Sequence, residues 1–278
     1  MIDLASRAEL SLYAEIVREI RAVSQSEFFL CGATARDLLL QHVHGIATER
    51  ATVDVDFGVM VGSLDEFQAI RQGLVATERF VTNMTRLRYG DTPVDLIPFG
   101  AVEDEHRTVT WPPGDVELNT LGFLEAFDSA VDVSLPLGVS VKVASLPTQA
   151  LLKLIAWGDL NPSRGSKDAQ DFRVIARYYF RLVGDERFYS QQHLLKRNDF
   201  DVVRGGAWLL GNDAGMQMHP NSTAVLERVS AITAEQVDER GALTLVSSMG
   251  GPVDENLELV RWFSEGLQAA SISASQKP

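Results

Sequence analysis

The sequence predicts an α/β fold, a small mixed, twisted sheet flanked by helices, followed by a mainly helical C-terminal part. Three observations lead there. Short apolar or alternating runs recur between residues 28 and 144, and segments with apolar steps of three and four separate them. Gly90-Asp91 joins two strand-like runs, TRLRYG and TPVDLIPFG, in the manner of a hairpin. Beyond Pro147 only helical spacing remains. The expected division is residues 1–146, residues 147–270, and a disordered tail at 271–278.

In chain order, Leu4, Ala8, Leu12, Ile16, Val17, Ile20 and Val23 fit one amphipathic helix over 3–23, packed on the sheet. Phe28-Phe29-Leu30-Cys31 is a short buried strand, with Cys31 as a small hydrophobe. Gly32 permits a tight turn and close backbone approach. A helix over 34–41 then sends its first amides back toward that turn, a place that favours anionic phosphate. Thr34 either caps this helix or donates to a phosphate, and Arg36 either pairs with Asp37 or contacts a triphosphate. Residues 42–51 read as a loop carrying His42 and His44, and TVDVDFGVMV, 52–61, as a central strand.

Ser63 and Glu66 form a capping box for a helix that runs to about Gln72 and ends at Gly73. Residues 101–115 read as a loop, followed by a short helix around 123–127 and strands at 131–134 and 139–144. Pro147 suits the first turn of a helix, QALLKLIAW, that is apolar nearly all round except for Lys153. A buried lysine needs a partner, or else it snorkels. After a loop at 161–166, with Ser166 as cap, a helix from Lys167 places Asp168, Asp171, Ile175, Tyr178 and Leu182 on one stripe. Arg173, Arg177 and Arg181 occupy another, a solvated face or a patch for RNA phosphates. Later segments, 185–197, the glycine-broken 204–215, 222–232, 234–248 and 253–270, are irregularly helical.

Composition narrows the function. The chain of 278 residues is 45% hydrophobic and 23% charged, with one cysteine, so an internal disulfide framework is excluded. No apolar run approaches the roughly 20 residues that span a bilayer, and MIDLASRAEL carries acids unlike a leader, so the expected location is cytoplasmic. A net charge of -13 argues against sequence-blind binding of nucleic acid over the whole surface. Residues 161–204 are nevertheless net +3, and a polyanion would meet the protein there.

Asp54 and Asp56 are two apart in a strand, so both project from one face. Paired carboxylates repel, and a divalent cation relieves them. Hard oxygen ligands suit Mg²⁺, with Mn²⁺ as its substitute. Asp95, between Val94 and Leu96, is an acid inside an apolar strand, costly there unless it is used.

A glycine turn and helix before a D-x-D strand, with a third acid on a later strand, resembles the polymerase-β-like nucleotidyltransferase superfamily. The phrase GATARDLLL is similar to the GG-x-VRD-x-LL turn of CCA-adding enzymes and poly(A) polymerases, with Ala33 in place of the second glycine. Within the superfamily the chain most resembles the abortive-infection (AbiEii-like) nucleotidyltransferase toxins. A K-x-x-A phrase, Lys153 to Ala156, precedes a [KR]-D-x-x-D phrase at Lys167, Asp168 and Asp171, the order found in that group.

The resemblance implies a nucleotidyltransferase-type sheet and transfer of a nucleoside monophosphate from an NTP to a hydroxyl, with release of pyrophosphate. Asp54, Asp56 and Asp95 would hold Mg²⁺, Asp95 also helping to deprotonate the attacking hydroxyl. Gly32, Ala33, Thr34, Arg36 and Lys153 would meet the nucleotide, and Asp168 and Asp171 would position Lys153 or the acceptor. The first part is then the catalytic domain, and the helical part completes the nucleotide and acceptor site. The implied acceptor is the 3′ end of tRNA, reached through Arg173, Arg177 and Arg181, or a protein hydroxyl. The chain would be the toxin of a toxin–antitoxin or phage-defence system, with an antitoxin protein as partner and no membrane. Two rivals stay open: transfer to a small molecule such as an aminoglycoside, and a catalytically silent nucleotide-binding or antitoxin-interacting module.

Overall fold

The apolar runs of the N-terminal half pair into one mixed sheet. A computed structural model describes residues 1–48, 54–83, 86–111, 116–159, 162–190, 194, 196, 199, 201–219, 222–234 and 242–275. It divides into two units, Met1–Ser145 and Leu146–Pro278. Thr52 and Val53, Thr85, Pro112 to Gly114 and residues 276–278, all given a place in the sequence reading, lie outside the described residues.

In the first unit ten strands are described: β1 (Ile2–Asp3), β2 (Phe28–Cys31), β3 (Val55–Val61), β4 (Phe80–Asn83), β5 (Arg86–Tyr89), β6 (Thr92–Gly100), β7 (Thr108–Trp111), β8 (Val116–Asn119), β9 (Val131–Ser134) and β10 (Ser140–Val143). Eight form one sheet in the order β1-β9-β10-β2-β3-β6-β5-β4, larger than the small sheet expected; β7 and β8 make a separate pair. The β3–β6, β10–β2 and β1–β9 pairs are parallel and the others antiparallel, so the sheet is mixed as the pattern predicts.

Four helices accompany the sheet: α1 (Ser11–Val23), α2 (Gly32–Asp37), α3 (Leu64–Ala76) and α4 (Phe123–Asp128). Register assigns the faces. Phe29 lies opposite Gly58, and Met60 opposite Phe99, which places both rings on one side. There Phe29 meets Phe99 edge-on at 5.6 Å and Phe123 of α4 at 5.7 Å. A Cβ at Gly58 would come within 2.9 Å of the Phe29 ring, so the missing side chain makes room for that cluster. On the other side Phe28 packs on Phe57 and receives Arg21 of α1 over its ring.

Several boundaries differ from the sequence reading. The first residues form β1 and a short turn ending in buried Leu10, so the helix begins at Ser11 instead of residue 3; its buried apolar stripe is Ala14, Ile16, Val17 and Ile20, while Leu12 is exposed. The α3 cap is as expected, Ser63 Oγ accepting from Glu66 N at 3.1 Å, and the Glu66 carboxylate reaches back to Gly62 N at 2.8 Å. The helix runs through Gly73 to Ala76, because a bare Cα there lets α1 approach: a Cβ would sit 3.2 Å from Val23. The expected loop at 101–115 contains β7, and α2 starts at Gly32 and widens into a π-turn over Leu38–Val43.

The second unit is helical. Its first helices are α5 (Leu146–Asp159) and α6 (Pro162–Tyr178). The loop expected at 161–166 is therefore mostly helix: proline is accepted in a first turn, and Ser166 is inside the helix instead of capping it. The stretch read as glycine-broken is a regular helix, Val202–Met216, packed on another, Val253–Ser275. A Cβ at Gly211 would lie 2.9 Å from Leu267 N, and one at Gly266 would lie 2.9 Å from Asn212 N. These glycines serve a close helix crossing, which outweighs their poor helix propensity. The later helix continues to Ser275, with no Gly or Pro between Gly266 and Ser275 to stop it earlier. No described helix is long and apolar enough to cross a membrane.

Candidate active site

Strand register brings the acids together. β3 runs parallel to β6 with Asp56 beside Asp95, and Asp54 lies just before β3, two residues from Asp56. Asp54, Asp56 and Asp95, all half-buried, each offer a carboxylate oxygen within 4.8 Å of the others. Three carboxylates so close repel one another unless cations hold them.

The glycine turn lies against this cluster. Cys31 pairs with Asp56 across β2 and β3, so the chain leaves β2 directly beside that carboxylate. Gly32 has φ +68, and a Cβ there would overlap Asp56 Oδ2 and lie 2.8 Å from its Cγ. Thr34 is 2% exposed and donates from Oγ1 to the Asp54 carbonyl at 2.6 Å. Its hydroxyl thus ties the turn to the acid strand. Ala33 is buried, as is Arg36, which donates from Nε to Asp37 Oδ1 at 2.8 Å. Of the two roles open to Arg36, the structure displays the pair with Asp37.

Sequence reasoning missed one residue of the cluster. Arg86 donates from Nε to Asp95 Oδ1 at 2.9 Å and from Nη2 to Asp95 Oδ2 at 2.6 Å, and Nη2 also reaches Asp54 Oδ2 at 3.1 Å. Burial works to lower its pKa, but Asp95 and Asp54 outweigh that and raise it. The signal was available: Leu87 pairs with Val94 across the hairpin, so the next step puts Arg86 beside Asp95. Arg71 on α3 also feels Asp95, although burial dominates and lowers its pKa.

In the second unit, Lys153 of α5 meets two acids of α6, Asp168 Oδ1 and Asp171 Oδ2, each at 2.8 Å. The lysine therefore has partners and does not snorkel. Burial works to lower the pKa of its ammonium, yet the two carboxylates prevail and push it up from 10.5 to about 12. The arginine stripe is not a free cationic face. Arg173 donates to Asn256 Oδ1 at 2.8 Å, Arg177 to Glu255 Oε2 at 2.8 Å, and Arg181 lies 5.7 Å from the Tyr178 ring centre. Tyr178 ends α6, so the stripe does not continue along one helix. Cys31 is buried, and His42 faces Glu9 at 3.6 Å; among the described residues only Asp54, Asp56 and Asp95 form a cluster fit for a metal.

No curated protein matches the chain. Among solved structures, the antibiotic-resistance factor ANT(2'')-Ia aligns with a TM-score of 0.37 and 16% identity, covering 68% of this chain and 97% of that one, a likeness too low to carry an argument. A family model described as nucleotidyl transferase AbiEii toxin of type IV toxin–antitoxin systems matches residues 16–239. That match spans most of the sequence and both acid-bearing units, and the chain accordingly belongs to the AbiEii nucleotidyltransferase toxin family.

Proposed function

We propose that the protein transfers a nucleoside monophosphate from an NTP to a hydroxyl acceptor, the 3′ end of tRNA or a protein side chain, in a metal-dependent reaction. The observation that carries the reading is the gathering of Asp54, Asp56 and Asp95 within 4.8 Å beside Gly32. The donor set fits Mg²⁺ or Mn²⁺, being all carboxylate oxygen on a rigid parallel strand pair, with a cradle at Gly32 that a side chain would fill. Bound there, the cations would neutralise charge on the triphosphate and favour ionisation of the acceptor hydroxyl.

Each residue then has a task. Asp54, Asp56 and Asp95 would hold the cations, and Asp95, on the neighbouring strand, would also help to deprotonate the attacking hydroxyl. The Gly32-Ala33-Thr34 backbone approaches the phosphates, with the Thr34 hydroxyl bonded to the Asp54 carbonyl so that turn and acids keep one geometry. Arg36 is buried and bonded to Asp37, so contact with a triphosphate would require it to change partner. Lys153 carries forward as the phosphate-facing cation of the K-x-x-A phrase. Because Asp168 and Asp171 already bind it, that role requires an exchange of partners, which the two acids would guide.

The type IV toxin–antitoxin description supports an antitoxin partner. The RNA acceptor gains nothing from Arg173 and Arg177, whose guanidinium groups have partners within the second unit. Purified protein incubated with each α-labelled NTP, Mg²⁺, and total tRNA, an aminoglycoside or no acceptor tests the reading. Label on RNA or on protein is expected; label on the small molecule supports that rival, and label nowhere leaves only the silent module.

A further inference from the structure

We propose that Arg86 is a built-in counter-ion of the acid cluster, competing with divalent cations for Asp54 and Asp95, so that its guanidinium must leave before those carboxylates take metal. The inference rests on the metal-site reading above and adds a control on when the site loads. Arg86 engages both oxygens of Asp95 and one of Asp54. Such a two-pronged contact occupies the carboxylate edges that a cation would need. A divalent ion among the same oxygens would also sit within a few ångströms of the guanidinium charge and be repelled by it.

The side chain is free to yield. Its exposure is 45%, and those of Asp54 and Asp95 are 44% and 33%, so the released guanidinium moves into water and not into the core. Partly exposed ion pairs of this kind are weak, and metal at sufficient concentration displaces them. Arg86 relieves the repulsion among the carboxylates, so the cluster stays assembled until a cation displaces it. Loading then responds to the free cation concentration.

The test is Mn²⁺ binding to the full chain, read as loss of the free-ion paramagnetic resonance signal. Arg86→Gln is expected to bind Mn²⁺ about tenfold more tightly than wild type, and Arg86→Lys, which keeps charge but loses the fork, about threefold more tightly. Arg88→Gln is the control: it removes an equal charge from the same strand, where Arg88 Nη2 bonds the Asp91 carbonyl at 2.7 Å. Equal or weaker binding in both Arg86 variants, or an equal gain in Arg88→Gln, overturns the proposal. Mn²⁺ binding that persists undiminished in Asp56→Asn, or is missing from every variant, overturns the metal site itself and the proposal with it. A thermal melt in chelator confirms that each variant folds.

Discussion

Replacing Gly32 by alanine should harm catalysis far more than folding. The backbone there has φ +68, a conformation that costs an L-residue about 1–2 kcal/mol. For a unit of this size that corresponds to a fall in Tm of roughly 2–8 °C. The new Cβ would overlap Asp56 Oδ2, so the carboxylate must retreat by more than about 1 Å to reach ordinary contact. The β3–β6 register holds the Asp56 backbone, and the movement therefore falls on its side chain. A displacement of about 1 Å among reacting groups costs on the order of 100-fold in rate, about 2.7 kcal/mol of barrier. Gly138→Ala separates the two effects: φ there is +71, with no atom within 4 Å of the added Cβ. Initial rates with an α-labelled NTP, taken beside thermal melts, should show similar losses of Tm but a loss of rate in Gly32→Ala alone. Equal rates in the two variants would refute the contact between turn and acid as a catalytic feature.

Other expectations follow from the same geometry. Lys153→Met leaves Asp168 and Asp171 without their cation, and urea unfolding should show a loss of about 3–5 kcal/mol; an unchanged midpoint contradicts the pairing. Because the Lys153 pKa is raised on folding, from 10.5 to about 12, its stabilisation is complete below 10.5 and lost as pH climbs through 12. The wild-type urea midpoint should fall across that window by more than that of Lys153→Met, and parallel falls would count against the assignment. Ser63→Ala removes the α3 cap and should lower stability by about 1 kcal/mol, a loss that Ser63→Asp restores; no loss in the alanine variant would mean the cap is idle.

The acids were legible because strand alternation is a two-residue signal that survives any sheet order. Asp54 and Asp56 needed no partner strand to be placed on one face. Asp95 stood out as an acid among apolar neighbours, but its position beside Asp56 depends on β3 and β6 pairing in parallel, which no local pattern specifies. Arg86 was within reach, since the Gly90-Asp91 hairpin sets its register against Asp95. A cation on a half-exposed strand looks ordinary until the opposite strand is known. Strands β4 and β7, FVTN and TVTW, are too short to show a period, and their order comes from the neighbours they pair with. The helix Val202–Met216 was misread because its glycines signal breakage locally, whereas their cause is a second helix far along the chain. The arginine stripe showed the same limit: its partners, Asn256 and Glu255, lie about 80 residues away.

In the proposed reaction Asp54, Asp56 and Asp95 act as one metal-binding catalytic cluster. Transfer of label from an α-labelled NTP by Asp56→Asn, beside wild type and with circular dichroism to confirm folding, probes that most directly. Loss of transfer in a folded variant that also binds Mn²⁺ weakly is the expected result. A folded Asp56→Asn protein that transfers label at the wild-type rate would contradict it.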